Sequence, residues 1–281
     1  MSDAPSNRRQ LMRWIPALPA LLPLLARAQV RQPGEVLVGG TGAGLAPAQK
    51  LLKGMPKLRF VPNLGTGGGL KAVAAGAIDL ALSARRLNEA EKAQGLIERE
   101  FFTTPMVFAV HAEVPLRRAT LAEVTALYAG RIAQWSNGTP VRLVLRPDSD
   151  SDSRVVAAIS PAMAEALVAA RARAGAYVAT TDADATEALA RIAGSLGVTA
   201  LALVRAEGRA LHVLEIEGVR PDVDTLTNKH YPYAKSVYWV TRGLPTAEVQ
   251  AVLQATATRK AQQTLTLNPA VTPSPAVPLG V

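Results

Sequence analysis

The stretch Asn63 to Leu87, reading NLGTGGGLKAVAAGAIDLALSARRL, restricts the fold more than any other part of the chain. It opens on Gly65, Gly67, Gly68 and Gly69, residues that tolerate φ > 0 and leave backbone N–H groups uncovered. Leu70, Val73 and Ala74 then keep helical spacing, and Gly76 stands where a helix would end. Ala77 to Ser83 is a short apolar run closed by a serine, with Arg85 just beyond. A glycine turn that feeds a helix aims unpaired N–H groups and the positive end of the helix dipole at one spot, which suits an oxyanion. A tight strand-to-helix connection with no ligand uses the same residues, and this stretch alone does not choose between them.

The same device occurs upstream, where Val36 to Val38 runs into Gly39-Gly40-Thr41-Gly42-Ala43-Gly44 and Leu45 to Leu52 reads as a helix. Neither turn fits G-x-G-x-x-G, because Leu45 and Leu70 hold the last position, and no G-x-x-x-x-G-K-[ST] occurs; nucleotide cofactors are disfavoured. Two strand–turn–helix units predict an α/β fold of mixed sheets flanked by helices. Both helix starts then lie at one sheet edge, where open α/β sheets bind ligands.

Further along, Asn88 with Glu91 and Thr120 with Glu123 predict helix starts through Ala93 and up to Gly130. Met106 to Val110 is a strand candidate ending at His111, and Val141 to Leu145 another. The latter delivers Arg146 into Pro147-Asp148-Ser149-Asp150-Ser151-Asp152-Ser153-Arg154, a third strand–loop–helix unit built from hydroxyls with an arginine on each side. Read as a calcium loop, it places Asp148, Asp150 and Asp152 at the first, third and fifth positions. It puts Ser153 where the turn glycine belongs and Ile159 where the closing glutamate belongs, so an EF-hand is disfavoured. Ser160-Pro161 predicts a helix through Ala174, Asp184 with Glu187 one through Ile192, and Gly175 to Val178 a strand. Leu201 to Ile216 alternates as a half-exposed hairpin would, Ser236 to Thr241 reads as a strand, and a helix from Thr246 to about Gln263 precedes a proline-rich surface tail.

The 281 residues allow one large or two medium domains, and with 49% apolar but 4% aromatic residues the cores must be aliphatic. The formal charge of +9 is scattered, without a basic block or interleaved aromatics, so nucleic acid is disfavoured as a partner. Cysteine is absent, which excludes disulfides, thiolate metal sites, a cysteine nucleophile and a lipid anchor on cysteine. Arg8, Arg9 and Arg13 precede an apolar stretch from Trp14 to Leu25, and Ala26-Arg27-Ala28 has the small-x-small form of a signal-peptidase site. Residues 1–28 therefore read as a removable export signal, and Arg8-Arg9 fits the twin-arginine route. Removing them takes away four arginines and one aspartate and leaves +6.

The order of motifs resembles the PstS-like phosphate-binding proteins of ABC transporters, in the class II periplasmic solute-binding family. The likeness rests on Gly65-Thr66-Gly67-Gly68-Gly69-Leu70-Lys71, Gly76-Ala77-Ile78-Asp79-Leu80, Ser83-Ala84-Arg85-Arg86-Leu87 and Tyr128-Ala129-Gly130-Arg131-Ile132 with Trp135. It continues in Asn137-Gly138-Thr139-Pro140, the Arg146 to Ser153 loop, Glu217-Gly218-Val219-Arg220-Pro221 and Tyr231-Pro232-Tyr233. The resemblance implies a two-lobed type II periplasmic-binding-protein fold with the ligand cleft at the hinge. Lobe 1 would comprise residues 29–109 and 233–281, and lobe 2 residues 110–232. Carried over by position, Gly44, Leu45, Thr66, Gly67, Ser83, Arg146, Ser151 and Ser153 would line the oxyanion site, with Thr41 and Arg85 beside them. No cofactor and no metal are implied.

Departures are visible. Ser151-Asp152-Ser153 stands where the family commonly has Ser-Gly-Thr, Gly44-Leu45 where it has Thr-Phe, and Ala84 where some members have an acid. Hydrogenphosphate carries a proton that needs an acceptor, whereas sulfate does not; either Asp148 or Asp152 supplies it, or the ligand is an oxyanion other than phosphate. The expected function is a monomeric, non-enzymatic periplasmic carrier that captures an inorganic oxyanion, phosphate foremost, for an inner-membrane ABC permease. Two alternatives stay open: an oxyanion sensor or ligand-free interaction module on the same fold, and a phosphate-ester hydrolase using Ser153. Against the last, His111, His212 and His230 are scattered and no G-x-S-x-G elbow occurs.

Overall fold

The computed structural model describes residues 31–173, 176–258 and 272–273. The export signal, the far end of the last predicted helix and most of the proline-rich tail lie outside the described residues. The first units are β1 (Val36–Gly40), α1 (Gly42–Leu51), β2 (Leu58–Val61), α2 (Gly65–Ala74) and β3 (Leu80–Ser83). β1 pairs in parallel with both β2 and β3. The short helix α3 (Glu89–Ala93), opened by the Asn88/Glu91 capping box, leads into β4 (Leu96–His111), a strand of 16 residues.

The second set of units comprises β5 (Arg118–Ala119), α4 (Leu121–Ala129), β6 (Arg142–Leu145), α5 (Ser151–Ala157), α6 (Pro161–Ala172), β7 (Tyr177–Val178), α7 (Asp182–Arg191) and β8 (Ser195–Ala200). After it come α8 (Leu201–Glu207), β9 (Leu211–Val213), β10 (Glu215–Ile216), α9 (Val223–Thr227), β11 (Ala234–Arg242), α10 (Ala247–Ala257) and β12 (Thr272–Pro273). The main sheet runs β2-β1-β3-β11-β4-β8-β6-β7, with β9 and β12 added to β4. β4 joins its two halves. Residues 96–105 pair antiparallel with β11, and Met106 to Val110 pair antiparallel with β8.

Each half has helices on both faces, as the buried residues require. On one side Val38, Leu82, Phe102, Val237 and Trp239 pack with Leu45 and Ala48 of α1, Leu201 and Leu203 of α8 and Val252 of α10. The opposite face carries Leu70 and Val73 of α2 against Leu37, Ala81 and Val240. In the other half, Phe108, Val110, Leu145 and Leu196 pack with Leu127 and Tyr128 of α4 and with Met163 and Leu167 of α6. Ala185 and Leu189 of α7 cover Ala109 and Val144 from behind. β6 runs antiparallel to β1 and β2, so the carboxyl ends of β1 and β2 in one half and of β6 in the other face each other and deliver the starts of α1, α2 and α5 to the junction of the two halves.

Several expectations shift. The glycines of residues 65–69 are not a loop but the first turn of α2, with only Gly65 at positive φ (62°) among them. At Gly69 a Cβ would lie 2.7 Å from the Cα of Gly40, so glycine there sets the helix against β1. α1 likewise begins at Gly42 rather than Leu45. Residues 201–207, expected in a hairpin, are helical, with the whole first turn, Leu201 to Val204, buried and Leu201 to Leu203 packed in the core with α1 and the sheet. α7 is capped by a Thr181/Asp184 box, one turn earlier than the expected Asp184 start. β8 and α9 had no counterpart in the sequence reading.

Candidate anion-binding site

Seven of the ten described helices have their starts capped by the side chain that precedes them. Three do not: α1, α2 and α8. For α8 the hydroxyl of Thr104 accepts from the Ala202 N–H at 3.1 Å. For α1 a carboxylate from elsewhere in the chain takes the place of the cap. Only α2 is left open, with neither a capping side chain nor an acid in its first turn. Its first N–H groups and the positive end of its dipole remain available to an anion.

That start opens on a cavity of about 310 Å³ lined by Gly65 to Gly68, Arg85, Arg146, Ser149 to Ser151, Arg154 and Thr180. Its lining holds three guanidinium groups and one carboxylate, Asp150. Arg85 is held by Glu91 through two bonds of 2.8 Å, and that pairing lowers the Glu91 pKa below the ordinary carboxylate range. Arg146, 3% exposed, donates to Ala179 O and to Asp150 Oδ2 at 2.8 Å each. Arg154 has no ion pair among the described residues and faces the cavity as an uncompensated cation. Paired arginines hold the geometry, and the free one supplies net positive charge.

Behind the cavity lies a buried ionic cluster. The ammonium of Lys235 on β11 donates to Asp182 Oδ1 at 2.6 Å and lies 2.8 Å from Asp152 Oδ1. Arg146 Nη2 lies 3.8 Å from Asp182 Oδ1. The Thr41 hydroxyl donates to Asp182 Oδ2, and the Ala43 N–H reaches the same oxygen at 3.4 Å. Burial alone would raise the Asp182 carboxyl, yet Lys235 and Arg146 hold it far below the usual carboxylate range. Asp152 goes the other way. Burial raises its pKa, and although Lys235 opposes this, the neighbouring Asp182 and Asp150 add to it.

The structure brings Thr66, Gly67, Arg85, Arg146 and Ser151 of the expected site together around the cavity. The other expected residues are placed elsewhere. The N–H groups of Gly44 and Leu45 already bond to Thr41 O at 3.1 and 3.0 Å, Leu45 packs in the core, and a Cβ at Gly44 would meet Val237 Cγ1 at 2.7 Å. The Thr41 hydroxyl is committed to Asp182. Ser83 is fully buried and donates to Arg85 O at 2.6 Å. Ser153, 5% exposed, donates to Arg146 O at 3.0 Å and accepts from Arg171 at 2.8 Å, which also removes it as a nucleophile. Neither expected proton acceptor lines the cavity: Asp148 pairs with Arg171 and Asp152 is buried on Lys235. Asp150 is the acid that does. Sequence reasoning missed Ser149, Arg154 and Thr180, although the flanking arginines of that loop pointed toward Arg154. It also missed Asp182 and Lys235, which carry no local signal. Among the described residues no cluster of acids and histidines could hold a metal.

The sequence model of the PBP superfamily domain matches residues 34–258. The chain belongs to the PBP superfamily. No curated protein matches it in sequence. Among solved structures the fold is similar to a Clostridium perfringens protein, assigned as a phosphate ABC transporter substrate-binding protein and carrying bound phosphate. The TM-score is 0.69 at 18% identity, over 85% of this chain and all of that one. A phosphate-binding protein from Stenotrophomonas maltophilia follows at TM-score 0.59 and 16% identity, over 79% and 83% of the two chains. An ABC-type phosphate transport receptor from Vibrio cholerae gives 0.54 at 14%, over 85% and 100%. At these identities the likeness establishes the PBP fold.

Proposed function

We propose that this PBP-superfamily protein binds an inorganic oxyanion, phosphate foremost, in the cavity at the start of α2, and presents it to an inner-membrane ABC permease. The observation that carries the reading is the uncapped start of α2 opposite Arg146 and the uncompensated Arg154. The described relatives of this fold that bind phosphate lend it support. The site residues in this reading are Thr66, Gly67, Arg85, Arg146, Ser151 and, newly, Ser149 and Arg154. Asp150 is the acceptor for the proton of hydrogenphosphate. Lobe 1 (residues 29–109 and 233–281) and lobe 2 (110–232) would be joined through β4 and β11, with the anion held between Thr66, Gly67 and Arg85 of the first and Arg146, Ser151 and Arg154 of the second. Cleavage after residue 28 would release a monomer into the periplasm.

A micromolar carrier needs about −8 kcal/mol. Four or five hydrogen bonds to a charged ligand, at about 1.5 to 3 kcal/mol each, cover that after the losses of association. Calorimetry on the protein lacking residues 1–28 tests the reading with phosphate, sulfate, molybdate and tungstate. An exothermic one-to-one isotherm with phosphate is expected, and flat titrations with all four refute it. A second reading, a sensor or interaction module on the same fold, is favoured by one observation: the start of α1 is filled by the chain's own Asp182. Strong phosphate binding without any interaction with a permease would select it.

A further inference from the structure

The start of α1 already holds an anion, and the anion is part of the polypeptide. Thr41 precedes the helix in an extended conformation and would ordinarily turn its hydroxyl inward to accept from the first turn. Here the hydroxyl points the other way and donates to Asp182, which also receives the Ala43 N–H. Gly42 makes the approach possible: a Cβ there would lie 3.1 Å from the Asp182 Cβ and 3.2 Å from the Ala183 N. Lys235 supplies the counter-charge at 2.6 Å, with Arg146 at 3.8 Å. Thr41, Arg146, Asp182 and Lys235 are all under 5% exposed. Donors from the β1–α1 turn and from β11, with the Arg146 charge from the end of β6 nearby, thus converge on one carboxylate, as donors would on a bound oxyanion.

We propose that Asp182 is a tethered anion. It fills the cradle at the start of α1, keeps the two halves of the sheet closed on each other without a ligand, and confines any free oxyanion to the neighbouring cavity of Gly67 and Arg154. The tethering follows from the geometry alone, while the confinement rests on the oxyanion reading above. Asp152 does not do the same work, because it bonds Lys235 through one oxygen only, and its Oδ2 and the Arg146 Nε 4.0 Å away are both without a hydrogen bond.

Replacing Asp182 by Ala removes a carboxylate and leaves a hole of formate size between Thr41, Ala43, Lys235 and Arg146. Thermal unfolding is followed for the wild type and Asp182→Ala with sodium formate or sodium chloride at matched ionic strength. The variant is expected to melt about 10 °C lower. Formate, and not chloride, should restore at least half of that loss along a saturable curve, with the wild type indifferent to both. A variant as stable as the wild type, or one that formate helps no more than chloride does, overturns the proposal. If Asp182→Ala fails to fold in plain buffer, it is refolded from urea in the two salts: recovery in formate alone supports the proposal, and recovery in neither overturns it. Small-angle scattering reads the closure. The anion-free wild type should keep its radius of gyration when phosphate is added, and Asp182→Ala should be larger until formate is supplied; equal radii for the two proteins remove the closing role. Formate rescue together with a flat phosphate titration of the wild type would leave the tethered anion standing and refute only the oxyanion reading.

Discussion

Gly67 is the residue at which the anion reading can be separated from folding. Nothing lies within 4 Å of a Cβ placed there, and the position is in the first turn of α2, where an acid favours the helix dipole. Gly67→Asp is therefore expected to leave the melting temperature unchanged or slightly raised and to abolish phosphate binding, since the new carboxylate would occupy the ligand's place. A variant that still binds within tenfold of the wild type would move the ligand elsewhere. The two buried aspartates give a second, opposite pair of expectations. The Asp182 carboxyl has a depressed folded pKa, so its contribution is present above the unfolded value of about 3.9 and is lost only as pH falls through the folded one. The Asp152 carboxyl has a raised folded pKa. Its contribution is complete below about 3.9 and is lost as pH rises through the folded value. Urea unfolding across pH 4 to 7 should accordingly show Asp182→Asn losing about 3 kcal/mol throughout, as for a broken buried pair. Asp152→Asn should instead narrow its deficit, or gain on the wild type, as pH rises. A wild-type-like slope for Asp152→Asn would contradict the assignment. Of these residues, Gly67, Arg85, Arg146 and Ser151 were legible because a glycine turn or a strand end announces them. Asp182 and Lys235 were not, because the pairing of Thr41 with a partner 141 positions away exists only after the fold has formed.

Local start signals were read unevenly: the Thr181/Asp184 box was placed one turn late and the Asp222/Thr225 box was passed over. The Asn88/Glu91 and Thr120/Glu123 boxes and the left-handed Gly130 appear as expected, since each depends on residues within one turn. α8 was misread as part of a hairpin because its apolar residues also suit one, and the burial of its entire first turn in the core is set by the tertiary fold. α2 is the instructive case: four glycines favour a loop by propensity, and packing against β1 overrides them. Its glycines are not equivalent. At Gly68 an added Cβ meets only Leu64 Cβ at 3.5 Å, whereas at Gly69 it would strike Gly40 Cα at 2.7 Å. Gly68→Ala is expected to stabilise by about 0.5 to 1 kcal/mol, and Gly69→Ala to destabilise by about 1 to 3 kcal/mol. Urea midpoints at constant m distinguish these outcomes, and similar shifts for both would mean that close packing is not what retains Gly69.

At the scale of the whole molecule, the mixed sheet with helices on both faces followed from the repeated strand–turn–helix units. What the chain alone did not reveal was that β4 is long enough to belong to both halves, pairing with β11 along one stretch and with β8 along the next. That continuity brings the starts of α1 and α2 from one half opposite the start of α5 from the other. The chemistry there is divided: the α1 side is occupied by Asp182, and the α2 side is open and edged by Arg154. Titration of the protein lacking residues 1–28 with inorganic phosphate, run in parallel on Gly67→Asp, tests that division most directly. Heat from one site in the wild type and none in the variant is the expected result. No heat from the wild type, or equal heat from both, would contradict it.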